Sequence, residues 1–283
     1  MQFIKFHGAG NDYLVIESGG VTRDWPSLVR RITDRHFGVG SDGLLLVEPS
    51  QVTAIRMRVF NPDGSEAEMS GDGIRCFTKY VLDQGIVQVT NGVLEVETGN
   101  GIRSVIPTFD HGKVVMARVD MGRPGFRADE VPLRLPEGMD TEGPLVDFPL
   151  MLDQKAIAVT CVSMGNPHAA AFIEEPVDQF PLESLGPQVE HHPLFPNRVN
   201  FEIANVVARD RLKMRTWERG TGETLACGTG ACAVAVAAYL KGLTDTKVEL
   251  ELKGGSLKVE WDGVGSVWME GPVEEVFQGE WKD

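Results

Sequence analysis

The sequence predicts an α+β protein of two pseudo-symmetric domains, each a mixed or antiparallel sheet wrapped around a central apolar helix. The segments 60–85 and 217–242 align at a separation of 157 residues, and Gly10-Asn11 matches Gly165-Asn166 at a separation of 155. These matches indicate an internal duplication. The segment 228–240, GTGACAVAVAAYL, is apolar almost all round, which is typical of a helix buried among strands rather than one lying on a surface.

The helices and strands of the first half are predicted from the spacing of apolar residues and from the glycines and prolines that bound them. A helix is predicted at 26–34, with a proline at its start, and another at 71–83, with Gly85 as the terminating glycine. Alternating or continuous apolar runs predict the strands. They are 2–6, 13–17, 44–48, 54–60, 87–90, 94–98, 102–107 and 113–120.

The second half repeats this order after a stretch rich in proline and glycine, 121–143, that is predicted to cross between domains. A helix-and-loop region is predicted at 181–198 and a helix at 228–240. The predicted strands are 156–162, 168–173, 200–208, 211–217, 247–252, 256–261 and 265–270. The last segment, 272–277, is predicted to return to the first domain, so the domains are 1–119 plus 272–283, and 120–271.

Composition excludes several classes of function. The chain has 283 residues, 42% hydrophobic and 24% charged, with a net charge of −14. This balance argues against a nucleic-acid partner, because phosphate binding depends on Lys and Arg patches, and it fits a soluble cytoplasmic enzyme. No signal peptide or membrane span is expected. The four cysteines include no CxxC pair, so neither a zinc site nor any other metal site is expected.

Cys227 is the first candidate catalytic residue. It stands in a glycine-flanked turn directly before the predicted helix 228–240. The unpaired amides and the positive dipole end of a helix start stabilise a thiolate, so a lowered pKa is expected here. The same amides, including those of Gly228 and Thr229, could hold a carboxylate. The alternative, a small buried cysteine without a chemical role, remains open from this turn alone.

Ser70 occupies the equivalent position of the first repeat, followed by Gly71 and Asp72. A serine here is also a common helix N-cap. A hydroxyl is a far weaker acid than a thiol and needs an activating neighbour to act as a base. The pairing of a thiol in one repeat with a hydroxyl in the other predicts an active site in a cleft between the two halves.

Further polar side chains stand at turns from which they could reach a ligand. For any single asparagine in a turn, bonding to its own backbone is the commoner explanation. Glu218 and Arg219 could form an ordinary ion pair, although Gly220 allows the chain to turn there. The candidate positions are Asn11, Asn61, Asn166, His168, Asn200, Glu218 and Arg219.

Taken together, the motifs of this chain resemble those of the diaminopimelate epimerase family over nearly its full length. They are FHGAGNDYLVIE, GVGSDGLLLVE, FNPDGSEAEMSGDGIRC, VSMGNPHAAAF, RVNFE and WERGTGETLACGTGACA. The resemblance implies two α/β domains that face a cleft in a homodimer, an amino-acid substrate, and neither pyridoxal phosphate nor a metal. It also implies that one thiolate removes the α-proton and an opposite thiol delivers a proton to the other face.

The resemblance assigns roles to positions of this chain. The second catalytic cysteine falls on Cys227, and His168 and Glu218 match positions that support the catalytic pair. Asn11, Asn61, Asn166, Asn200, Glu218, Arg219, Gly228 and Thr229 match substrate-binding positions, with Gly71 and Asp72 at the first helix start.

The departures from the family fall in one turn, where the family's CGNG is SGDG. An engineered Cys→Ser exchange would account for Ser70 but not for Asp72, whereas natural divergence accounts for both. Three functions remain open: an epimerase with Ser70 or water relaying the second proton, a single-base isomerase or dehydratase on the same scaffold, and an amino-acid-binding relative without catalysis.

Overall fold

The computed structural model describes residues 1–136, 138–139, 143–153 and 155–282. Four α-helices, a 3-10 turn at Val177–Gln179 and eighteen strands occupy these ranges. The helices are α1 (Trp25–Ile32), α2 (Gly71–Asp83), α3 (Leu182–Glu190) and α4 (Gly228–Leu240). The strands are β1 (Gln2–Gly8), β2 (Asn11–Glu17), β3 (Gly43–Glu48), β4 (Ile55–Phe60), β5 (Glu66–Ala67), β6 (Leu94–Thr98), β7 (Gly101–Asp110), β8 (Lys113–Asp120), β9 (Phe148–Met151), β10 (Ala156–Ser163), β11 (Pro167–Phe172), β12 (Asn200–Ala208), β13 (Arg211–Glu218), β14 (Gly222–Thr224), β15 (Lys247–Leu252), β16 (Gly255–Glu260), β17 (Trp268–Pro272) and β18 (Glu274–Glu280).

The chain divides into two compact units, residues 1–120 with 270–283 and residues 121–269. In the first unit the strands run in the order β18-β1-β2-β3-β4-β6-β7-β8, with β5 beside β4. The pairs β2–β3 and β4–β6 are parallel and the others are antiparallel. The parallel pairs require crossover connections, which α1 and α2 provide.

The second unit repeats this strand order as β9-β10-β11-β12-β13-β15-β16, with β14 beside β13. Its parallel pairs are β11–β12 and β13–β15, at the places that correspond to those of the first unit. The crossovers here contain α3 and α4. The two repeats therefore fold alike. The register of strand pairing in each repeat identifies which residues of the two units are equivalent.

One helix lies at the centre of each unit. In the first unit, α2 contacts β1, β2, β3 and β8, and in the second unit α4 contacts β10, β11, β12 and β16. Residues 71–81 of α2 and nearly all of α4 are buried. The buried cations of α2 are paired, as in Lys79, which donates to Asp83 and to the Val114 carbonyl. The predicted α+β class, with a sheet around a central helix, is confirmed.

Several predicted elements differ in the structure. The predicted strand at 87–90 is wrong, since only Thr90 forms an isolated bridge, to Val93 across a turn. The predicted strand at 265–270 is displaced to β17. The sequence analysis missed the short strands β5 and β14, and also β9, which pairs with β10. Part of the predicted irregular stretch 121–143 lies outside the described residues, at positions 137 and 140–142. Among the described residues, no helix is both long enough and apolar enough to cross a membrane.

Candidate active site

The start of α4 places the Cys227 thiol against the first turn of the helix. Cys227 is the N-cap residue, with extended backbone angles of φ −139° and ψ 108°. Its sulfur accepts a hydrogen bond from the Gly230 amide at 3.4 Å and lies 3.5 Å from the Thr229 hydroxyl. The side chain is buried, with 5% of its surface exposed. The thiol therefore lies beside the backbone amides of the first helical turn, which have no partner within the helix.

A buried histidine–glutamate pair lies beside this turn. His168 Nδ1 is 2.8 Å from Glu202 Oε1, and both side chains are fully buried. His168 Nε2 faces the Asn166 side-chain oxygen at 3.0 Å, and the Asn166 amide donates to the Thr229 hydroxyl at 3.3 Å. A chain of polar contacts therefore runs from Glu202 to the first turn of α4.

Gly230 shows how close this pair comes to the thiol. A Cβ placed on Gly230 would lie 2.7 Å from Glu202 Oε1 and 3.2 Å from Cys227 Sγ. A side chain at position 230 would come too close to Glu202 and crowd Cys227, so the glycine permits the close packing of carboxylate, thiol and helix backbone. The second carboxylate oxygen of Glu202 is buried and has no hydrogen-bond partner among the described residues.

The expectation of a lowered pKa for Cys227 is wrong. Burial raises the pKa of the Cys227 thiol well above its usual value, and the negative charges of Glu218 and Glu202 raise it further. The hydrogen bonds from Thr229 and Gly230 oppose these effects without reversing them. The helix start favours the thiolate, but two neighbouring carboxylates and the loss of hydration outweigh it. Cys227 therefore rests as a protonated thiol.

The start of α2 has the same backbone with different side chains. Ser70 is the N-cap residue, with φ −136° and ψ 126°, and its oxygen accepts from the Gly73 amide at 3.0 Å. The Tyr13 hydroxyl lies 2.8 Å from the Ser70 oxygen. Ser70 is half-buried.

Asp72 forms a buried ion pair in the first turn of α2. Its carboxylate accepts from Arg75 Nη2 at 2.5 Å and from the Asn11 amide at 3.1 Å. The Arg75 side chain is fully buried and that of Asp72 is 2% exposed. Asn11 thus binds the first turn of α2 as Asn166 binds the first turn of α4.

Asn200 and Arg219 meet where β13 ends. The buried Asn200 side chain donates to the Pro167 carbonyl and accepts from the Arg219 amide at 3.0 Å. The Arg219 side chain is exposed and donates to the Asn197 carbonyl. Gly220 has φ +77°, so the chain does turn directly after this pair.

Glu218 accepts a hydrogen bond from the Thr224 hydroxyl at 2.6 Å and lies close enough to influence the Cys227 pKa. Gly71 and Gly228 are buried as the first residues of their helices. Asn61 is exposed, and its amide donates within its own turn, to the Ser65 hydroxyl. Among the candidates, Cys227, Thr229, Asn166, His168 and Glu218 therefore cluster at the α4 start, while Ser70, Asp72 and Asn11 cluster at the α2 start.

Three residues of these clusters were missed by the sequence analysis: Tyr13, Arg75 and Glu202. A separation of 155, which already aligns Asn11 with Asn166, also aligns Tyr13 with His168. Glu202 could have been noticed as an acidic residue within the apolar run of β12. Arg75 gives no comparable signal, because a basic residue in a helix is most often solvated.

The geometry defines a class of protein: a duplicated α+β scaffold that places a hydroxyl or a thiol side chain at the start of a buried helix in each repeat. The comparisons with known proteins identify the family. The family model for diaminopimelate epimerase matches residues 3–126 and 160–276. The chain belongs to the diaminopimelate epimerase family.

Curated relatives agree over essentially the whole chain. The diaminopimelate epimerase of Acetivibrio thermocellus is 49% identical, covering 99% of this chain and 98% of the relative. That of Moorella thermoacetica is 47% identical and that of Methanococcus maripaludis is 44% identical, each covering 99% of both chains.

Solved structures of lower identity share the fold. A probable proline racemase from Agrobacterium radiobacter superposes with a TM-score of 0.72 at 17% identity, covering 99% of this chain and 92% of its own. A predicted epimerase from Pseudomonas aeruginosa gives 0.68 at 17% identity, covering 99% and 98%. At these identities the likeness concerns the scaffold alone.

Proposed function

We propose that this protein is a cofactor-independent amino-acid epimerase that interconverts LL- and meso-diaminopimelate by proton transfer at the α-carbon. Relatives of this name match at 44–49% identity over 99% of the chain. The protein is accordingly an isomerase, and the family places its reaction in lysine biosynthesis. The observation that supports the chemistry best is the Cys227 thiol at the N-terminus of α4.

Cys227 is the proposed acid–base residue on one face of the substrate. Its sulfur already lies within hydrogen-bond distance of the Gly230 amide and the Thr229 hydroxyl, which would stabilise a thiolate once it forms. The first-turn amides of Gly228 and Thr229 are suited to a substrate carboxylate, which gains negative charge as the α-proton leaves. His168 and Glu218 are proposed to support this thiol.

Epimerisation requires a second acid, because the incoming proton must arrive at the opposite face of the α-carbon. We assign this role to Ser70, and we propose Gly71 and Asp72, at the same helix start, as substrate-binding positions. A hydroxyl is a much weaker acid than a thiol, so the proton transfer at Ser70 should limit turnover. The family's two-thiol mechanism would then operate here with one strong and one weak partner.

The remaining polar positions are proposed to bind the substrate away from the reacting carbon. They offer amide and guanidinium groups that match an amino acid's ammonium and carboxylate groups. A polar group left unpaired by a wrong ligand penalises its binding, which would give specificity. The proposed positions are Asn11, Asn61, Asn166, Asn200, Glu218 and Arg219.

We also propose that the enzyme acts in the cytoplasm as a homodimer, as the family resemblance implies. Val276 and Phe277 on β18 are 50% and 43% exposed, which offers apolar surface for a partner chain. Light scattering on the purified protein would give the mass directly, and a monomer at assay concentrations would contradict the dimer.

The function is tested by incubating the purified protein with LL-diaminopimelate in D₂O. We expect the meso isomer to form with deuterium at the inverted carbon. Cys227→Ala should lower this rate by at least about 100-fold, the contribution typical of a general acid–base residue. Cys232→Ala is the matched control, since Cys232 is a fully buried thiol of the same helix, and it should retain activity.

Two results would contradict the proposed function. Unchanged epimerisation in Cys227→Ala would exclude this thiol as the acid–base group. Turnover of β-hydroxy amino acids without any interconversion of diaminopimelate would instead assign a single-base elimination to the scaffold.

A further inference from the structure

The Tyr13 hydroxyl contacts the one side chain that departs most from the family pattern. It lies 2.8 Å from the Ser70 oxygen, a distance typical of a good hydrogen bond between hydroxyls. The Tyr13 side chain is buried, with 7% of the residue exposed, whereas Ser70 is half-buried. The phenol therefore approaches Ser70 from the protein interior.

Strand β2 and a glycine on β3 together place this phenol. Asn11 and Tyr13 are two residues apart on β2, so their side chains share one face of the strand, and they contact Asp72 and Ser70 respectively. Tyr13 pairs with Gly43 across the parallel β2–β3 ladder. A Cβ on Gly43 would lie 2.8 Å from Tyr13 Cε1, so the glycine leaves the space that the aromatic ring occupies.

The duplication gives Tyr13 an equivalent in the second unit. Tyr13 pairs with Gly43 in the β2–β3 ladder, and His168 pairs with Asn200 in the β11–β12 ladder. These ladders correspond in the two repeats. Each repeat thus places a titratable ring at the same point of its fold, a phenol beside Ser70 in one and an imidazole near Cys227 in the other.

We propose that Tyr13 supplies the proton that Ser70 delivers to the substrate, so that a phenol–hydroxyl relay replaces the thiol of the first repeat. This inference rests on the proposed epimerase function. Tyr13 acts through Ser70, which makes it a positioning and proton-supplying residue, while Ser70 is the group that touches the reacting carbon.

The number of hydrogen bonds that a hydroxyl can accept and donate sets the direction of proton transfer from Tyr13 through Ser70. A serine oxygen accepts two hydrogen bonds and donates one. When the Gly73 amide and the Tyr13 hydroxyl both donate to Ser70, its two lone pairs are occupied. The Ser70 hydrogen is then directed away from both partners, toward a ligand at the turn.

The proton balance of the relay is simple. The Cys227 thiol first releases its proton to water. The thiolate so formed takes the α-proton, and the C–H electron pair remains on the substrate carbon. That pair forms a new C–H bond with the Ser70 hydrogen, while the Tyr13 hydrogen passes to the Ser70 oxygen. Cys227 is then again a thiol, as at the start. Tyr13 is left as a phenolate, which regains one proton from water and completes the cycle.

The chemistry favours a phenol as the proton source. A tyrosine side chain has an ordinary pKa of about 10, well below that of an aliphatic hydroxyl. The carboxylate nearest in sequence to Ser70, Asp72, is paired with Arg75 at 2.5 Å. The position that holds Glu202 in the second unit is Leu45 here, so the first unit has an apolar side chain where the second has a carboxylate.

The test is Tyr13→Phe introduced into two backgrounds, the parent chain and Ser70→Cys. In the parent chain, kcat for epimerisation should fall about 100-fold with little change in KM, because the proton source is lost. In the Ser70→Cys background, the thiol is its own acid and the loss should be at most about twofold. Tyr80→Phe is the matched control, since the Tyr80 hydroxyl is bonded to Glu17, and both backgrounds should tolerate it equally.

Equal losses from Tyr13→Phe in the two backgrounds would assign the tyrosine a purely structural role and overturn the relay. An unchanged kcat in the parent chain would overturn it as well. If Ser70→Cys epimerises diaminopimelate and the parent does not, the relay fails while the family chemistry stands. If neither protein epimerises it, the proposed function itself is contradicted, and the relay with it.

Discussion

The two helix starts of this protein share one backbone and differ in nearly every side chain that matters. Ser70 and Cys227 are N-cap residues with almost the same dihedral angles, and both accept from the amide three residues on. Around Cys227 lie His168 and Glu202, whereas around Ser70 lie Tyr13 and Leu45. Gly73 and Gly230 are equivalent in the two repeats. A Cβ built on Gly73 would contact Leu45, whereas one built on Gly230 would contact Glu202. The two repeats therefore share the position of the N-cap side chain, which is a hydroxyl in one and a thiol in the other.

The two helix starts also differ in how their negative charges are arranged. At α4 the negative charges act on the thiol, since Glu218 and Glu202 raise the Cys227 pKa. At α2 the negative charge, Asp72, is bound by Arg75 and Asn11. The comparison teaches that a helix N-terminus alone does not decide the protonation of its cap residue, because neighbouring charges and burial can outweigh the dipole.

The largest expected effect concerns the Asp72–Arg75 pair, which α4 lacks. Asp72→Asn would leave the fully buried Arg75 without its counter-charge. Two of its nitrogens, Nε and Nη1, already have no hydrogen-bond partner among the described residues. Removing one partner of a buried pair costs about 3–5 kcal/mol, to be measured by urea unfolding.

The double variant Asp72→Asn with Arg75→Met should recover most of that stability, because it removes both charges. Thr229→Asn, which places an asparagine at the equivalent position of α4, is the control and should cost far less. Equal destabilisation by Asp72→Asn and Thr229→Asn would show that the ion pair does not distinguish the two helix starts.

The second effect concerns the reactive groups themselves. Ser70→Cys makes the two cap residues alike and supplies a stronger acid, so kcat for epimerisation should rise about 100-fold. Initial rates with both stereoisomers of the substrate provide the measurement. A rate that stays at the parent level would mean that Ser70 does not limit the reaction.

A smaller effect is expected on the pKa of the Cys227 thiol and on its contribution to stability. Because its pKa is raised in the folded protein, the associated stability is complete below the pKa of an unfolded cysteine, about 8.5, and is lost as the pH rises above it. Glu218→Gln should lower the Cys227 pKa more than Glu202→Gln, following the order of their influence. Thiolate absorbance against pH, corrected with Cys227→Ala, measures both shifts, and an upward shift in either variant would contradict the electrostatic explanation.

Much of the fold could be predicted because its strongest signals are local. Glycines and long buried runs fixed α2 and α4 at 71–83 and 228–240, and the duplicated turns identified Ser70 and Cys227 as equivalent. Residues 87–90 were mispredicted because an apolar pair in a short polar context does not by itself pair with another strand.

The chemistry of the site was less predictable, because it depends on contacts between distant segments. Glu202 and Glu218 come from β12 and β13, and only tertiary packing brings their charges to Cys227. The Tyr13–Ser70 hydrogen bond joins residues 57 positions apart, and it needs the space that Gly43 leaves. The helix dipole could be inferred from the turn, but neither the full burial of Cys227, which chiefly raises its pKa, nor the two neighbouring carboxylates that raise it further.

The most direct test of the difference in acid strength between Ser70 and Cys227 is an incubation in D₂O that starts from each stereoisomer separately. The rate of deuterium uptake by the substrate is compared with the rate of inversion at the α-carbon. A strong base at Cys227 and a weak acid at Ser70 predict that one isomer takes up deuterium without inversion faster than product forms. They also predict that Ser70→Cys brings the two rates together. Equal rates of uptake and inversion in the parent chain, from either isomer, would contradict the account.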